Sequence, residues 1–307
     1  MNIKPKDKNE LKQRLASEAK KITLDDLASC SEDRVSIDVD GTVFENYIFY
    51  GKKERLYIFL SAIGDSNVEY PKFTRATWPL WLEFNSVLID DPTRKELSFA
   101  PAFFIGSKNK ENISKIIKLI QSFQKKFDVS EENTYIISSS NGGYAAIYIA
   151  KYLNIKIIAY NPQFNIPTFI DSLSDSSFVK LNYYLKSGFD LKENDIRLTA
   201  VDSFKNKHAK FFIYINISSK TDRDQLNFLS KNLDFKWNLG ANRISDNLTL
   251  LIVEVDADNP HSVQPSFDAT RIFIEYLAGN IGPRVFWPVM KITASELKLV
   301  QKYDKSI

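Results

Sequence analysis

The stretch from residue 134 to residue 150 constrains the fold of this chain more than any other segment. Its apolar run Tyr135-Ile-Ile137 predicts a short buried strand, and the residues from Tyr144 to Tyr152, rich in alanine and isoleucine, predict a helix. Between them lies a corner of small residues, Ser138-Ser-Ser-Asn-Gly-Gly143. A strand, a sharp corner and a helix are typical of a nucleophile elbow, which would place Ser140 at the apex of the turn.

Such a corner predicts a strained backbone at Ser140 that lifts the hydroxyl clear of the sheet. The N–H of Asn141 and the start of the helix then point at the group that the hydroxyl attacks. Gly142 and Gly143 allow the helix to pack closely against the strand. The consensus is G-x-S-x-G, and Ser138 stands in place of its first glycine. The alternative interpretation is a strand, a polar turn and a buried helix that perform no chemistry.

Strand-like and helix-like segments alternate along the rest of the chain, which predicts an α/β fold with a mostly parallel central sheet and helices on both faces. The main predicted strands are 55–62, 86–89, 103–105, 156–160, 210–217 and 248–255, and the main predicted helices are 111–127, 222–231 and 267–277. Residues 1–33 are expected to form an N-terminal helical arm and residues 34–307 a single domain. Within that domain, residues 165–207 predict a helical cap or lid insertion.

Residues 34–49 alternate apolar and polar side chains around Asp40-Gly41, which is a strong hairpin signal. The same segment, Asp38-Val-Asp-Gly-Thr-Val43, matches the D-x-D-G-T motif of haloacid-dehalogenase-type phosphatases, in which the first aspartate is the nucleophile. Those enzymes place the motif after a fully buried parallel strand, which should be continuously apolar. Because Ser36 and Asp38 alternate with apolar neighbours, a hairpin is the favoured interpretation and a phosphatase the alternative.

A serine hydroxyl needs a base to become a good nucleophile, and only two histidines are present to supply one. In an open α/β sheet the chemistry gathers at the carboxyl ends of the strands. His208 precedes the predicted strand 210–217, so it belongs at the opposite end of the sheet. His261 follows the predicted strand 248–255 and is therefore the candidate base, although on its own it would be an ordinary polar loop residue.

The acid that orients the histidine is expected in a loop at the same end of the sheet. Asp222 and Asp224 follow the predicted strand 210–217, and either is equally typical of an N-cap or first helical turn. Asp222 is the candidate acid and Asp224 the alternative. The order Ser140, Asp222, His261 along the chain is the order found in α/β-hydrolases. Further alternatives for the acid are Asp256 and Asp258.

The oxyanion hole is expected to use the N–H of Asn141 and a second N–H from the loop after strand 55–62, supplied by Ala62 or Ile63. This second assignment depends on topology alone, because the loop has no diagnostic residues.

Composition narrows the classes of function. A net charge of +3 with scattered lysines does not call for a nucleic-acid partner. The single cysteine, Cys30, excludes an internal disulfide and a thiolate zinc site, and no metal is expected. The sequence contains neither an N-terminal apolar signal region nor an apolar run of about 18 residues. A cytoplasmic protein without a membrane span is therefore the default expectation.

The segment Ser139-Ser-Asn-Gly-Gly-Tyr-Ala-Ala146 resembles the G-S-S-x-G-G-[FY]-A-A elbow of bacterial surface-polysaccharide proteins with an α/β-hydrolase-like fold. These include capsular polysaccharide biosynthesis proteins, capsule O-acetyltransferases and the acetyltransferase-like component of accessory secretion systems. Other matching pieces are Pro71-Lys-Phe-Thr-Arg75 with Trp78, Asp91-Pro-Thr93 and Asn161-Pro-Gln163. The likeness covers roughly residues 55–265, and Ser138 departs from it.

The resemblance implies acyl transfer through an acyl-Ser140 intermediate, with His261 activating either a sugar hydroxyl or water. It implies acetyl-CoA as the acyl donor, a carbohydrate or polysaccharide acceptor and no permanently bound cofactor. Association with capsule assembly proteins is a further expectation. Arg75 and Trp78 are candidates for contact with donor or sugar, the alternative being a surface cation and a core aromatic. A carbohydrate esterase with the same residues, and a non-catalytic component of a polysaccharide assembly system, remain open.

Overall fold

The structure is a computed structural model that describes residues 4–62, 70–97, 103–107, 110–172, 196–282 and Phe286. These residues form one ten-stranded mixed sheet and one two-stranded hairpin. The strands are β1 (Lys20–Thr23), β2 (Arg34–Val39), β3 (Thr42–Phe49), β4 (Lys52–Leu60), β5 (Phe84–Ile89), β6 (Gly106–Ser107), β7 (Lys110–Glu111), β8 (Thr134–Ser139), β9 (Lys156–Tyr160), β10 (Lys210–Asn216), β11 (Gly240–Arg243) and β12 (Leu248–Val253). The α-helices are α1 (Lys8–Ala16), α2 (Pro92–Leu97), α3 (Ile113–Phe127), α4 (Ser140–Ile149), α5 (Ile166–Ser172), α6 (Lys220–Leu233) and α7 (Phe267–Ala278).

The strands of the large sheet lie in the order β1-β2-β3-β5-β4-β8-β9-β10-β12-β11. Its centre is parallel throughout, from β5 through β4, β8, β9 and β10 to β12. The antiparallel pairs β2–β3, β3–β5 and β11–β12 lie toward the two edges. This topology confirms the predicted α/β class with a mostly parallel sheet.

Helices cover both faces of the sheet, as predicted. On one face, α3 and α4 contribute residues such as Ile120 and Ile147 to the larger apolar core. On the other face, Phe273 of α7 stacks on Phe212 of β10, with ring centroids 4.1 Å apart. Strand β8, which directly precedes Ser140, lies between β4 and β9 in the middle of the sheet, so its carboxyl end is surrounded by the loops of its neighbours.

Apolar residues at helical spacing explain the best-defined helix, α3. The residues that it buries are Ile113, Ile116, Leu119, Ile120, Phe123, Gln124 and Phe127. The helix ends where Asp128 adopts a left-handed backbone with φ of 55°. Predicted and observed bounds of the helices and strands differ by at most three residues for most elements, and β9 begins and ends as predicted.

The Asp-Gly hairpin is confirmed. β2 and β3 are antiparallel, and Asp40 and Gly41 between them have positive φ values of 50° and 75°. Asp38 is exposed and accepts a hydrogen bond from the Gly41 N–H at 2.8 Å, so it closes the turn. Because Asp38 is exposed and its strand pairs antiparallel with β3, this segment differs from the buried strand, parallel to both neighbours, that the phosphatase alternative requires.

The predicted strand 103–105 is wrong. Phe103 and Phe104 form a turn in which both residues have φ of 59°, and the carboxylate of Asp91 accepts a hydrogen bond from the Phe104 N–H at 2.6 Å. This side-chain acceptor takes the place of a strand partner, so an apolar run that is typical of a strand becomes a buried turn.

The N-terminal segment contains a helix, α1, but its next element is not helical. β1 pairs in parallel with β2 and extends the sheet, because Ile22 packs against the larger core. Of the predicted cap at 165–207, residues 173–195 lie outside the described residues. Its described ends contain α5 and short 3-10 turns at Ile196–Leu198 and Val201–Lys205. The edge strand β11 has no apolar pattern and was not predicted.

Candidate active site

The corner after β8 has the geometry of an elbow. Helix α4 begins at Ser140 directly after the last strand residue, and Ser140 has a φ of 50°. A non-glycine residue in this left-handed region is strained, which fits a functional turn. The two following glycines are needed for packing. A Cβ on Gly143 would lie 2.9 Å from the Cβ of Pro162, and one on Gly142 would lie 3.1 Å from the carbonyl carbon of Ser61.

Ser138 fills the place of the first consensus glycine without disturbing the corner. Its Oγ donates a hydrogen bond to the carbonyl oxygen of Leu60 at 2.9 Å. A Cβ on Gly142 would collide with this Oγ, so the hydroxyl occupies space that Gly142 leaves open. The serine at this position therefore adds a hydrogen bond between the end of β8 and the end of β4.

His261 lies in the short 3-10 turn Pro260–Ser262, after β12 and at the carboxyl edge of the sheet. The side chain of Asn161 donates hydrogen bonds to the carbonyl oxygens of His261 at 2.6 Å and Val263 at 3.1 Å. Asn216, the last residue of β10, donates to the carbonyl oxygen of Pro260 at 2.9 Å. These two amides fix the histidine turn over the ends of β9 and β10. As a result, His261 Nε2 lies 2.9 Å from Ser140 Oγ.

Asp222 lies in the first turn of α6, whose N-cap is Ser219. Its carboxylate is 1% exposed, and both oxygens contact His261 Nδ1, at 2.8 and 2.9 Å. Asp224, two residues further along the helix, instead forms an ion pair with Lys220 at 2.7 Å on a more exposed side. Of the two aspartates that the sequence leaves open, Asp222 is the one that reaches the histidine.

The other sequence candidates lie away from this contact. His208 is exposed before β10 at the opposite edge of the sheet, and the alternative acids Asp256 and Asp258 are both exposed. A hydrogen-bonded line therefore runs from Asp222 through His261 to Ser140.

Burial tends to lower the pKa of His261, but the charge of Asp222 and the hydrogen bond to it act in the opposite direction, and the net effect raises the pKa above its usual value. A neutral His261 with its proton on Nδ1 would donate to Asp222 and leave Nε2 free to accept a proton from Ser140. The hydrogen bonds of the two ring nitrogens favour this tautomer.

The expected oxyanion donors are only partly in place. Asn141 is the second residue of α4, so its N–H belongs to the first helical turn, directly after Ser140. The N–H of Ala62 donates a hydrogen bond to Thr74 Oγ1 at 3.0 Å, so in this structure it is already engaged. Ile63 lies outside the described residues.

Gln163 is a residue at the site that sequence reasoning did not assign a role. Its side chain is fully buried, with Oε1 3.5 Å from Ser140 Oγ, and its Nε2 has no hydrogen-bond partner among the described residues. Rotation of the Gln163 amide by about 180° would turn its nitrogen, in place of its oxygen, toward Ser140 Oγ. The signal in the sequence was the polar run Asn161-Pro-Gln163 directly after β9, the strand next to β8.

A buried ion pair ties the loop after β4 to the end of β5. Asp90 accepts hydrogen bonds from Ser61 Oγ at 2.5 Å and from the Lys72 N–H at 2.5 Å. Arg94 completes the group with a contact of 3.1 Å to Asp90. Since Ser61 directly precedes Ala62, this network positions the backbone from which the second oxyanion donor is expected.

The two candidate substrate-binding residues lie on the same edge of the sheet. Arg75 is half-buried between the aromatic rings of Trp78 and Tyr160, with centroid distances of 5.2 and 5.0 Å. Trp78 is also half-buried and packs edge-on against Phe59 and Phe267. Trp78 is therefore partly a core aromatic, whereas Arg75 brings a cation to the carboxyl edge.

The described residues contain no group of three or more His, Cys, Asp or Glu side chains that could hold a metal ion. Within the part of the chain that the structure describes, no helix is long and apolar enough to cross a membrane.

No protein-family model matches the sequence, and no curated protein matches it by sequence. Several solved structures are similar in fold. A capsule O-acetyltransferase mutant from Neisseria meningitidis serogroup A, in complex with CoA, has a TM-score of 0.55 at 16% identity, covering 82% of this chain and 97% of that one. The glycosylation-associated Gap123 complex of Streptococcus agalactiae has a TM-score of 0.51 at 20% identity, covering 81% of this chain and 45% of that one. An acetyl xylan esterase from Paenibacillus sp. R4 has a TM-score of 0.51 at 12% identity, covering 89% and 99%.

At these identities the likeness shows the fold alone. The chain has an α/β-hydrolase-like fold, and the suspected resemblance to capsule O-acetyltransferases is confirmed at the level of structure. Structures with this fold include an acetyltransferase, an esterase and other hydrolases, so the fold alone does not determine the reaction.

Proposed function

We propose that this protein is a serine-dependent O-acetyltransferase that acts on a bacterial glycan, in capsular or surface polysaccharide biosynthesis. The observation that carries the proposal is the hydrogen-bonded line Asp222–His261–Ser140, which ends in a serine on a strained corner at a helix N-terminus. Nucleophile, base and acid in mutual contact are the arrangement that serine acyl transfer requires.

In the first half-reaction, His261 Nε2 would take the proton of Ser140 as Oγ attacks the acyl carbonyl carbon. Asp222 would stabilise the imidazolium that forms, and the Asn141 N–H would stabilise the negative oxygen of the tetrahedral intermediate. His261 would then give the proton to the leaving sulfur of CoA, leaving acetyl-Ser140. In the second half-reaction, a sugar hydroxyl would lose its proton to His261 and take the acetyl group, restoring Ser140.

Acetyl-CoA is the donor in this proposal. The likeness to an acetyltransferase structure that contains CoA supports it, and use of this metabolite would place the protein in the cytoplasm. Arg75 and Trp78 are proposed contacts for the substrate. Association with other polysaccharide assembly proteins is part of the same proposal, supported by the likeness to a component of the Gap123 complex.

A carbohydrate esterase is the second candidate, favoured by the likeness to an acetyl xylan esterase. It would use the same three residues and differ in admitting water in place of the sugar hydroxyl. A non-catalytic role, in which the elbow survives only as architecture, is the third candidate.

Intact mass spectrometry after separate incubation with acetyl-CoA and with a serine-directed phosphonate tests the proposal. We expect one covalent adduct with each reagent, both mapping to Ser140 and absent from Ser140→Ala. His261→Ala should abolish labelling, whereas His208→Ala, which removes the other histidine, should label normally. Asp222→Asn and Asp224→Asn form a second matched pair, with only the first expected to slow labelling.

Labelling by the phosphonate alone would favour the esterase over the transferase. Absence of both adducts in protein that unfolds cooperatively would support the non-catalytic role and contradict the proposal.

A further inference from the structure

Arg75 is placed on the carboxyl edge of the sheet by the loop that follows β4. Thr74 anchors this loop, since its hydroxyl accepts from the Ala62 N–H at 3.0 Å and donates to the carbonyl oxygen of Leu60 at 3.3 Å. Arg75 itself has a φ of 57°, and its carbonyl oxygen accepts from the Trp78 N–H at 2.9 Å. The backbone therefore adopts a strained conformation that fixes the direction of this side chain.

The guanidinium of Arg75 is surrounded by neighbours of the proposed catalytic residues. It lies over the ring of Tyr160, whose backbone pairs with Ser139, the residue before Ser140. One of its nitrogens donates to the side-chain oxygen of Gln264, three residues after His261. These contacts place the cation between a residue that pairs with the strand before Ser140 and the loop that contains His261.

Among the residues that the structure describes, none acts as a counter-ion to this cation. Arg34, Arg55 and Arg94, which are also buried or half-buried, form ion pairs with Glu45 at 2.6 Å, Glu275 at 2.6 Å and Asp90 at 3.1 Å. Arg75 forms no ion pair with any residue that the structure describes, and its hydrogen-bond partner Gln264 is neutral.

Burial lowers the pKa of the Arg75 guanidinium to about 10, a direction that disfavours the charged form. Stacking on Trp78 and Tyr160 offsets part of the lost hydration but supplies no negative charge. A guanidinium carries five N–H donors, and Gln264 uses only one of its nitrogens. The remaining donors match the two oxygens of a carboxylate or phosphate.

We propose that Arg75 is the receptor for an anionic group, a phosphate or a carboxylate, on a substrate that is bound at Ser140. This inference rests on the proposed function, and it adds that one of the two substrates is negatively charged close to the reacting centre. The anion comes either from the phosphates of a CoA donor or from an acidic sugar of the acceptor.

Binding to catalytically inert protein tests the inference without requiring turnover. Isothermal titration would compare Ser140→Ala with Ser140→Ala/Arg75→Gln, using two pairs of ligands. CoA and pantetheine differ in the phosphates of the donor, and D-glucuronate and D-glucose differ in a sugar carboxylate. Loss of a charge-assisted bidentate contact should weaken one of the two anionic ligands at least about tenfold. Its neutral counterpart should change by less than about twofold.

If Arg75→Gln weakens the binding of CoA, the anion belongs to the donor. If it weakens the binding of D-glucuronate, the anion belongs to the acceptor. Arg271→Gln in the same Ser140→Ala background is the matched control, because Arg271 is an exposed arginine of α7 and its loss removes the same charge. Thermal unfolding of each variant would verify that the fold is intact.

Equal weakening of the neutral and anionic ligands would assign Arg75 a structural role and overturn the inference. Unchanged binding of both anions, or no binding of either to Ser140→Ala at millimolar concentration, would overturn it as well. Phosphonate labelling of Ser140 in the unmodified protein decides the proposed function separately. CoA binding that depends on Arg75, without phosphonate labelling of Ser140, would contradict the proposed function and support the anion site.

Discussion

Gly142→Ala tests the close packing on which the elbow depends. A Cβ at this position would lie 3.1 Å from the carbonyl carbon of Ser61 and closer still to the oxygen of that carbonyl and to Ser138 Oγ. Ordinary carbon contacts are about 3.5–4.0 Å, so the end of β4 or the start of α4 would have to move by on the order of 0.5–1 Å.

The two neighbours differ in how they can respond. The Ser138 hydroxyl can rotate, but it then loses its 2.9 Å hydrogen bond to Leu60, worth about 0.5–1.5 kcal/mol. The Ser61 carbonyl belongs to the backbone and can only be displaced, and overpacking of this kind costs about 1–3 kcal/mol. We expect a total of about 2–4 kcal/mol. With an entropy of unfolding of about 2.1 cal/mol/K per residue, this lowers the Tm of the 307-residue chain by about 3–6 °C.

Thermal unfolding followed by circular dichroism measures the stability effect, and the rate of phosphonate labelling measures the effect on Ser140. A displacement approaching 1 Å should slow labelling by about 100-fold. Gly282→Ala is the matched control because a Cβ there meets nothing within 4 Å, and its effect should stay within about 0.5 kcal/mol. The double variant Ser138→Gly/Gly142→Ala should recover part of the lost stability, since it removes one of the two collisions. If Gly142→Ala retains the Tm within about 1 °C and labels within about twofold, the packing argument is wrong.

Three further outcomes are expected. In an assay of ester cleavage, Asp222→Asn should lower kcat by about 10³–10⁴-fold, because an amide favours the wrong histidine tautomer. Asp224→Asn should change kcat by less than about threefold in this assay. Comparable losses in the two variants would contradict the assignment of Asp222 as the acid. Because Asp222 raises the pKa of His261 despite burial, and only the neutral imidazole accepts the serine proton, kcat/KM should fall as the pH drops through a value above about 6.5. In a pH profile, Asp222→Asn should move this limb to lower pH, and a limb that does not move would contradict the coupling. Arg94→Met would leave the fully buried Asp90 without its cation. We expect the free energy of unfolding, measured with denaturant, to fall by about 3–5 kcal/mol. A change below about 1 kcal/mol would contradict a stabilising role for the ion pair at the end of β5.

Hydrophobic pattern and turn chemistry were sufficient to predict most of the sheet. Runs of β-branched residues, such as those of β8 and β9, have few alternatives to a buried strand, and Asp40-Gly41 specifies its turn locally. The segment 103–105 failed because its conformation is set by a distant acceptor, the Asp91 carboxylate, which no local pattern reveals.

The candidate site follows a similar division. Chain order and strand ends were enough to select His261 over His208. His261 follows its strand and His208 precedes its strand, so the two lie at opposite edges of the sheet. The choice between Asp222 and Asp224 was beyond the sequence, because residues two apart on a helix point to different sides and only the tertiary packing decides which side meets the histidine. Gln163 was missed for the same reason, as its proximity to Ser140 depends on how the loop after β9 folds over α4.

The two outermost strands of the sheet determine how it ends. β1 and β11 are each four residues long, and they carry exposed charged side chains, such as Lys20 and Lys21 on β1 and Arg243 on β11. Short, charged edge strands are poor templates for pairing with another molecule. The strand next to β1 in the sheet is β2, whose Val35, Ile37 and Val39 are buried. Removal of the N-terminal segment would therefore make β2, with these three apolar side chains, a new open edge of the sheet, and a trimmed protein would tend to self-associate into β-linked aggregates.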